Sequence, residues 1–179
     1  MIKEPHNIIA DSSFYLCFLD DINDPDFLNR IINRFDFYIT PTIEHEIQIE
    51  KSVSLRENPK MIRIGKYIDF GEILKPFLSK KTIDKGEHEV IGLGFHFFRI
   101  GIPFYLIIDD DDARTFVRKN LSYLESALHG TIGFIEICCC HFKVFSKKET
   151  IATFNKIERS KFRISKDIMN IIKNRVERC

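Results

Sequence analysis

The sequence predicts an α/β fold, a mostly parallel sheet flanked by helices. Three observations carry this. Short apolar runs recur along the chain and end in polar or acidic residues; each leads into a segment of helical period; and residues suited to helix caps stand between the two. Strands that alternate with helices indicate parallel pairing, because parallel neighbours need a crossover, expected to be right-handed. With 179 residues, 44 % of them hydrophobic, the chain suffices for one domain with a substantial core.

Residues 7–10, "NIIA", read as a short buried strand. Asp11, Ser12 and Ser13 follow, and the oxygen of Asp11 or of a serine can cap the next helix. "DPDFLNRIINRF" sets Phe27, Leu28, Ile31, Ile32 and Phe35 at helical spacing, with Asp24 as cap and Pro25 at the first helical position, where no N–H is needed. Residues 35–39 form a second strand, and Thr40-Pro41 opens a helix in the same cap-then-proline manner. Ile43 and Ile47 share its buried face with Glu46 nearby, and Glu44 and Glu46 suit the positive end of the helix dipole.

Residues 51–61 are polar and expected to be helical in part; 68–81 are expected to hold a short strand and a short helix. A helix over 85–99 follows, capped by Asp84 and ended by Gly101, with Val90, Leu93, Gly94 and Phe97 as its buried stripe. Glycine inside a helix costs about 1 kcal/mol relative to alanine, so Gly92 and Gly94 point to close packing. "IPFYLII" at 102–108 is the third clear strand, and a helix follows it with Asp111 and Asp112 in the first turn and Ala113, Phe116 and Val117 inward. A short fourth strand is expected within 121–131, then a helix over "GTIGFIEICCCHF" and two closing helices capped by Ser146 and Ser165.

No apolar run reaches the roughly 20 residues of a membrane span. Acid and proline precede the first apolar run, so no signal peptide is expected either. The five cysteines, Cys17, Cys138, Cys139, Cys140 and Cys179, include no CxxC pair and read as small core-facing thiols in a reducing cytoplasm. "CCCH" at 138–141 is not a zinc motif, because successive helical side chains point about 100° apart. The six histidines show no paired-ligand spacing. Charge is uneven: residues 142–179 carry 11 Lys and Arg against 4 Asp and Glu, while the rest of the chain is net acidic. A basic end beside an acidic body suits a polyanion partner, or simply a solvated helical face.

The acids that follow strands matter most, since ligands of parallel sheets bind beyond the carboxyl ends of the strands. Asp11 follows the first strand, Asp109 and Asp110 follow "FYLII", Glu46 lies in the helix after the second strand, and Glu87 starts the helix before "FYLII". All are expected at one edge of the sheet. Glu89 is read as solvated. Carboxylates drawn together resist ionising unless a cation joins them. An oxygen-only set suits Mg²⁺ or Mn²⁺, and the matching chemistry is metal-assisted phosphodiester hydrolysis.

"IIADSS", "TPTIEHEI", "KGEHEVIGLG", "LIIDDDDAR" and "LHGTIG", in this order, resemble the PIN-domain ribonucleases, most closely the toxin branch with a Gly-Glu pair, an Asp-Asp-x-x-Ala-Arg block and a later Gly-Thr-x-Gly. The resemblance covers about residues 7–143, and "KFRIS" is similar as well. It implies a three-layer, Rossmann-like sheet over residues 1–145, with 146–179 a basic helical extension packed on the same domain. It further implies an endoribonuclease acting on RNA with Mg²⁺ or Mn²⁺, a cytoplasmic homodimer, and a small antitoxin protein as partner. By position, Asp11, Glu46, Glu87 and Asp109 match the catalytic, metal-binding acids, and Asp110 is a fifth metal acid. Ser12, Arg114 and Thr131 match substrate-side or supporting positions. Asp111 and Asp112 are more acidic than the family pattern, and residues 51–82 are long for a compact toxin. Two other classes compete: a catalytically inactive PIN-like module that binds RNA or protein, and a receiver-like phosphoacceptor. The latter is disfavoured because the acid pair follows a late strand, not the first.

Overall fold

The computed structural model describes residues 6–47, 55, 57–65, 74 and 85–179. Five strands form one sheet: β1 (Asn7–Ala10), β2 (Asp36–Ile39), β3 (Met61–Arg63), β4 (Phe104–Ile107) and β5 (Leu128–His129). Their order is β3-β2-β1-β4-β5 and every pairing is parallel. The register sets Asn7 beside both Asp36 and Phe104, and Ala10 beside Ile107.

The helices are α1 (Ser12–Leu16), α2 (Pro25–Arg34), α3 (Pro41–Glu46), α4 (Lys85–Arg99), α5 (Asp111–Asn120), α6 (Thr131–Cys140), α7 (Lys147–Glu158) and α8 (Lys166–Arg178). A π-helical turn over Cys17–Asp21 extends α1, and a 3₁₀ turn over Ser122–Ala127 leads into β5. The alternation of side chains along a strand builds the three layers. On one face Phe37 stacks on Phe14 of α1, and Tyr105 meets Phe134 of α6. On the other face Tyr38 and Phe104 both meet Phe97 of α4. Gly94 lets α4 lie close here: a Cβ at this position would come within 3.2 Å of the Phe104 ring.

The expected caps form. Asp24 accepts the Phe27 N–H, and Ser146 and Ser165 accept those of Glu149 and Ile168. Gly101, at φ +71°, ends α4. The Ile102 N–H reaches back to Phe97 and the Gly101 N–H to Phe98, a Schellman closure that needs the left-handed glycine. Asp111 and Asp112 occupy the first turn of α5.

Residues 61–63, where the sequence predicts no strand, form the edge strand β3. Three sequence expectations require correction. Glu89 is not solvated but buried, and its carboxylate accepts both the N–H and the hydroxyl of Thr42. It therefore caps α3 from outside, whereas the expected cap residue, Thr40, makes no side-chain cap bond. Cys140 and Cys179 are not free thiols but a disulfide that ties the end of α8 to the end of α6; Cys17, Cys138 and Cys139 are buried and free as expected. The strand and helix expected within 68–81, and the Asp84 cap, lie outside the described residues.

The closing helices share the core of the sheet domain, contributing Phe154, Ile157, Met169 and Val176. Among the described residues, no helix is long and apolar enough to cross a membrane.

Candidate functional site

From β1 the chain steps outward through β2 to β3, then returns to place β4 on the opposite side of β1. Connections leave β1 and β4 in opposite directions, which opens a crevice beyond their carboxyl ends. Asp11 and Asp109 stand at that point. The ladder continues past the strand ends: the Asp11 N–H donates to Ile107 O at 3.0 Å and the Ile108 N–H to His129 O at 2.9 Å. This continuation brings the two aspartates together, and the Asp109 N–H donates to Asp11 Oδ2 at 3.2 Å. The other Asp11 oxygen accepts the Phe14 N–H at 3.2 Å and so caps α1.

Asp109 is held by the start of α6. Its Oδ1 accepts the Thr131 N–H at 2.9 Å and its Oδ2 accepts the Thr131 hydroxyl. A helix N-terminus favours a carboxylate, so the placement suits the charge. Arg114 donates to Ile108 O at 2.9 Å, which sets its guanidinium beside Asp109. Gly130 makes room for both, since a Cβ there would lie 3.0 Å from Asp109 Oδ1 and 3.2 Å from Arg114 Nη1.

The electrostatics follow from withdrawal from water. Asp11 is 3 % exposed, and Asp109 is half-buried at the mouth of the crevice. Desolvation first, then the charge of Asp109, pushes the Asp11 carboxyl from the ordinary 3.8 up to about 8; the N–H bonds from Asp109 and Phe14 oppose the rise, and Glu87 adds to it. Desolvation also raises Asp109, against the two Thr131 bonds and the Arg114 charge. Arg114 is itself lowered, by burial and then by Arg118, despite the neighbouring aspartates.

Of the sequence-predicted residues, Asp11, Asp109 and Thr131 are thus joined by hydrogen bonds, Arg114 is held beside Asp109 by its bond to Ile108 O, and Glu87 is near enough for Asp11 to feel its charge. Glu46 arrives by another route. Its carboxylate lies against Gly86, one residue before Glu87, where a Cβ would come within 3.0 Å of Glu46 Oε1. Ser12 is half-buried at the first position of α1. Asp110, expected among the metal acids, is exposed and caps α5, accepting the Ala113 N–H at 2.8 Å. Sequence reasoning places Gly86 and Gly130 in motifs without a role and reads Glu89 as solvated. A glycine's role depends on what approaches it, and only geometry shows that.

The oxygen donors fit a hard divalent cation. Burial raises both carboxyls, the charge of Asp109 raises Asp11 further, and a cation between them would offset that repulsion. They do not form a closed cage. Among the described residues, the one His, Cys, Asp or Glu set whose ligand atoms all lie within 4.8 Å of one another is Cys139, Cys140 and Cys179. Mg²⁺ needs no such cage, since it keeps several waters and commonly binds through one or two carboxylates and a substrate phosphate.

The fold and site define an α/β protein with two aspartates, the Asp109 N–H bonded to the Asp11 carboxylate, at the switch point of its parallel sheet. No family model, curated protein or solved structure matches the chain.

Proposed function

We propose that this chain is a divalent-metal-dependent endoribonuclease of the PIN-domain type. The observation that carries the reading is the Asp11–Asp109 pair, bonded across β1 and β4 where a parallel sheet binds its ligands, with Asp11 fully buried. The sequence resemblance supplies the substrate class, and an antitoxin partner and a homodimer rest on it alone.

In this reading Asp11 and Asp109 would hold the Mg²⁺ or Mn²⁺, with Glu87 in the first turn of α4 and Glu46 at the end of α3 as the further acids. Such an ion, when bound, would supply Lewis acidity towards water and phosphate and offset the carboxylate charge. The protein's part is orientation. Thr131 keeps both Asp109 oxygens aligned, the α1 cap prevents Asp11 from rotating, and Arg114 limits the negative charge that an incoming phosphate meets.

Purified protein is expected to cleave RNA with Mg²⁺ or Mn²⁺, and EDTA, Asp11→Asn or Asp109→Asn should each reduce the rate at least a hundred-fold, on the order of losing one catalytic metal contact. Cleavage that survives both substitutions would sink the assignment. RNA binding with no turnover would identify the inactive module instead.

A further inference from the structure

We propose that a cleft opening from Asp109 towards α8 binds the nucleotide adjoining the scissile phosphate of single-stranded RNA; this rests on the ribonuclease reading above. The cleft holds about 480 Å³, within the usual range for a small-molecule site. Its walls are α5, the Gly130 turn with the start of α6, the segment 162–165, and α8.

Two chemistries meet there. Arg114, Arg118 and Arg163 line the cleft, against Asp109 and Asp111. Arg114 is engaged with Ile108 O. Arg118 has only a loose, exposed pairing with Glu125 at 3.6 Å. Arg163 is exposed and makes no hydrogen bond or ion pair among the described residues. Two guanidiniums are therefore available to an anion beside the acidic pair. The remaining wall is apolar, built from Ile132, Phe162, Ile164 and Ile168, and Ile168 stays 52 % exposed at the lip.

A nucleotide matches this division, with its phosphate on Arg118 and Arg163 and its base against Phe162. An RNA strand whose scissile phosphate sits at Asp109 must send its next residue somewhere close, and the cleft shares Asp109 as a wall. Stacking and phosphate contacts carry no base identity, so this subsite takes any base. It requires an unpaired one, because a base within a duplex cannot turn its face to Phe162.

The test is fluorescence anisotropy of a short labelled single-stranded RNA in EDTA, where cleavage is prevented. Arg163→Gln should weaken binding roughly ten-fold and reduce the slope of log affinity against log salt by about 0.7, the loss of one phosphate contact on a single strand. Phe162→Ala should weaken it roughly ten-fold with the slope unchanged. The same RNA as a duplex should bind less tightly than the single strand. Arg163 is exposed, so its variant should keep the wild-type melting temperature even if Phe162→Ala does not. Wild-type affinity and slope in Arg163→Gln overturn the proposal, as does a wild-type protein with no affinity for RNA, whose cleft would then suit a protein partner. The two readings fail separately. Cleavage that depends on Asp11 but leaves Arg163→Gln binding intact removes the cleft alone, whereas the expected binding pattern without turnover removes the nuclease and leaves the cleft a single-strand RNA site with no scissile phosphate beside it.

Discussion

Asp11 plays three parts with one carboxyl. It caps α1, receives the Asp109 N–H, and presents charge to Asp109 and Glu87. Its titration therefore links to folding. The folded value, about 8, lies above the unfolded one, so the folded state binds the proton more tightly. The contribution of this group to stability is full below about pH 4 and is lost as pH rises through about 8. In EDTA, the melting temperature is expected to fall between pH 5 and pH 8 by more than the other groups account for, and millimolar Mn²⁺ should restore it at the upper end, where the carboxylate is free to bind. A melting temperature indifferent to Mn²⁺ at pH 8 would count against a cation between these acids. Asp11 and Asp109 were legible as site residues because each follows an apolar run, and a parallel sheet gathers such positions at one edge. Glu89 was not, because an acid in a helix reads the same whether it faces water or the backbone of another helix.

Helix α3 is only six residues long and depends on α4 for its start. Glu89 provides the oxygens that Thr40 does not, binding Thr42 N–H at 3.0 Å and Thr42 Oγ1 at 2.7 Å. The same two helices carry Glu46 and Gly86 into contact, so this clamp also positions one of the candidate acids. Glu89→Ala should cost about 1–2 kcal/mol, the value of a helix cap, and Glu89→Gln less, since an amide can still accept the N–H and donate to the hydroxyl. Under the nuclease reading Glu89→Ala should also slow cleavage more than Glu89→Gln; melting curves and initial rates for the two variants check both. At this scale the strands β1, β2 and β4 showed clearly as apolar runs. Strand β3 did not, since Met61-Ile62-Arg63 is too short to display alternation and sits at the sheet edge with Met61 alone buried.

The basic C-terminal helices are bound into the molecule by long-range ties. Arg30 of α2 pairs with Glu149 at 2.7 Å and lies 4.5 Å above the Phe145 ring, and Lys156 of α7 reaches Asp24 at 2.6 Å. The Cys140–Cys179 bond adds a covalent tie across 39 residues. Chain entropy alone values a loop of that length at about 4 kcal/mol. Cys179→Ser is thus expected to lower the melting temperature by as much as a reductant lowers that of the wild type, and to make the protein insensitive to the reductant. Equal melting temperatures for wild type in oxidising and reducing buffer would show that the tie contributes nothing. Pairing was not readable beforehand, because three adjacent cysteines offer no spacing that selects a partner.

The layout of the sheet has a consequence for synthesis. Its central neighbours, β1 and β4, lie almost a hundred positions apart in the chain, so contact between them waits on everything that intervenes. A polypeptide emerging from the ribosome carries Asp11 early, but with no counterpart until the middle of the chain has appeared. Whatever chemistry the finished crevice performs, a truncated product ending before β4 lacks it.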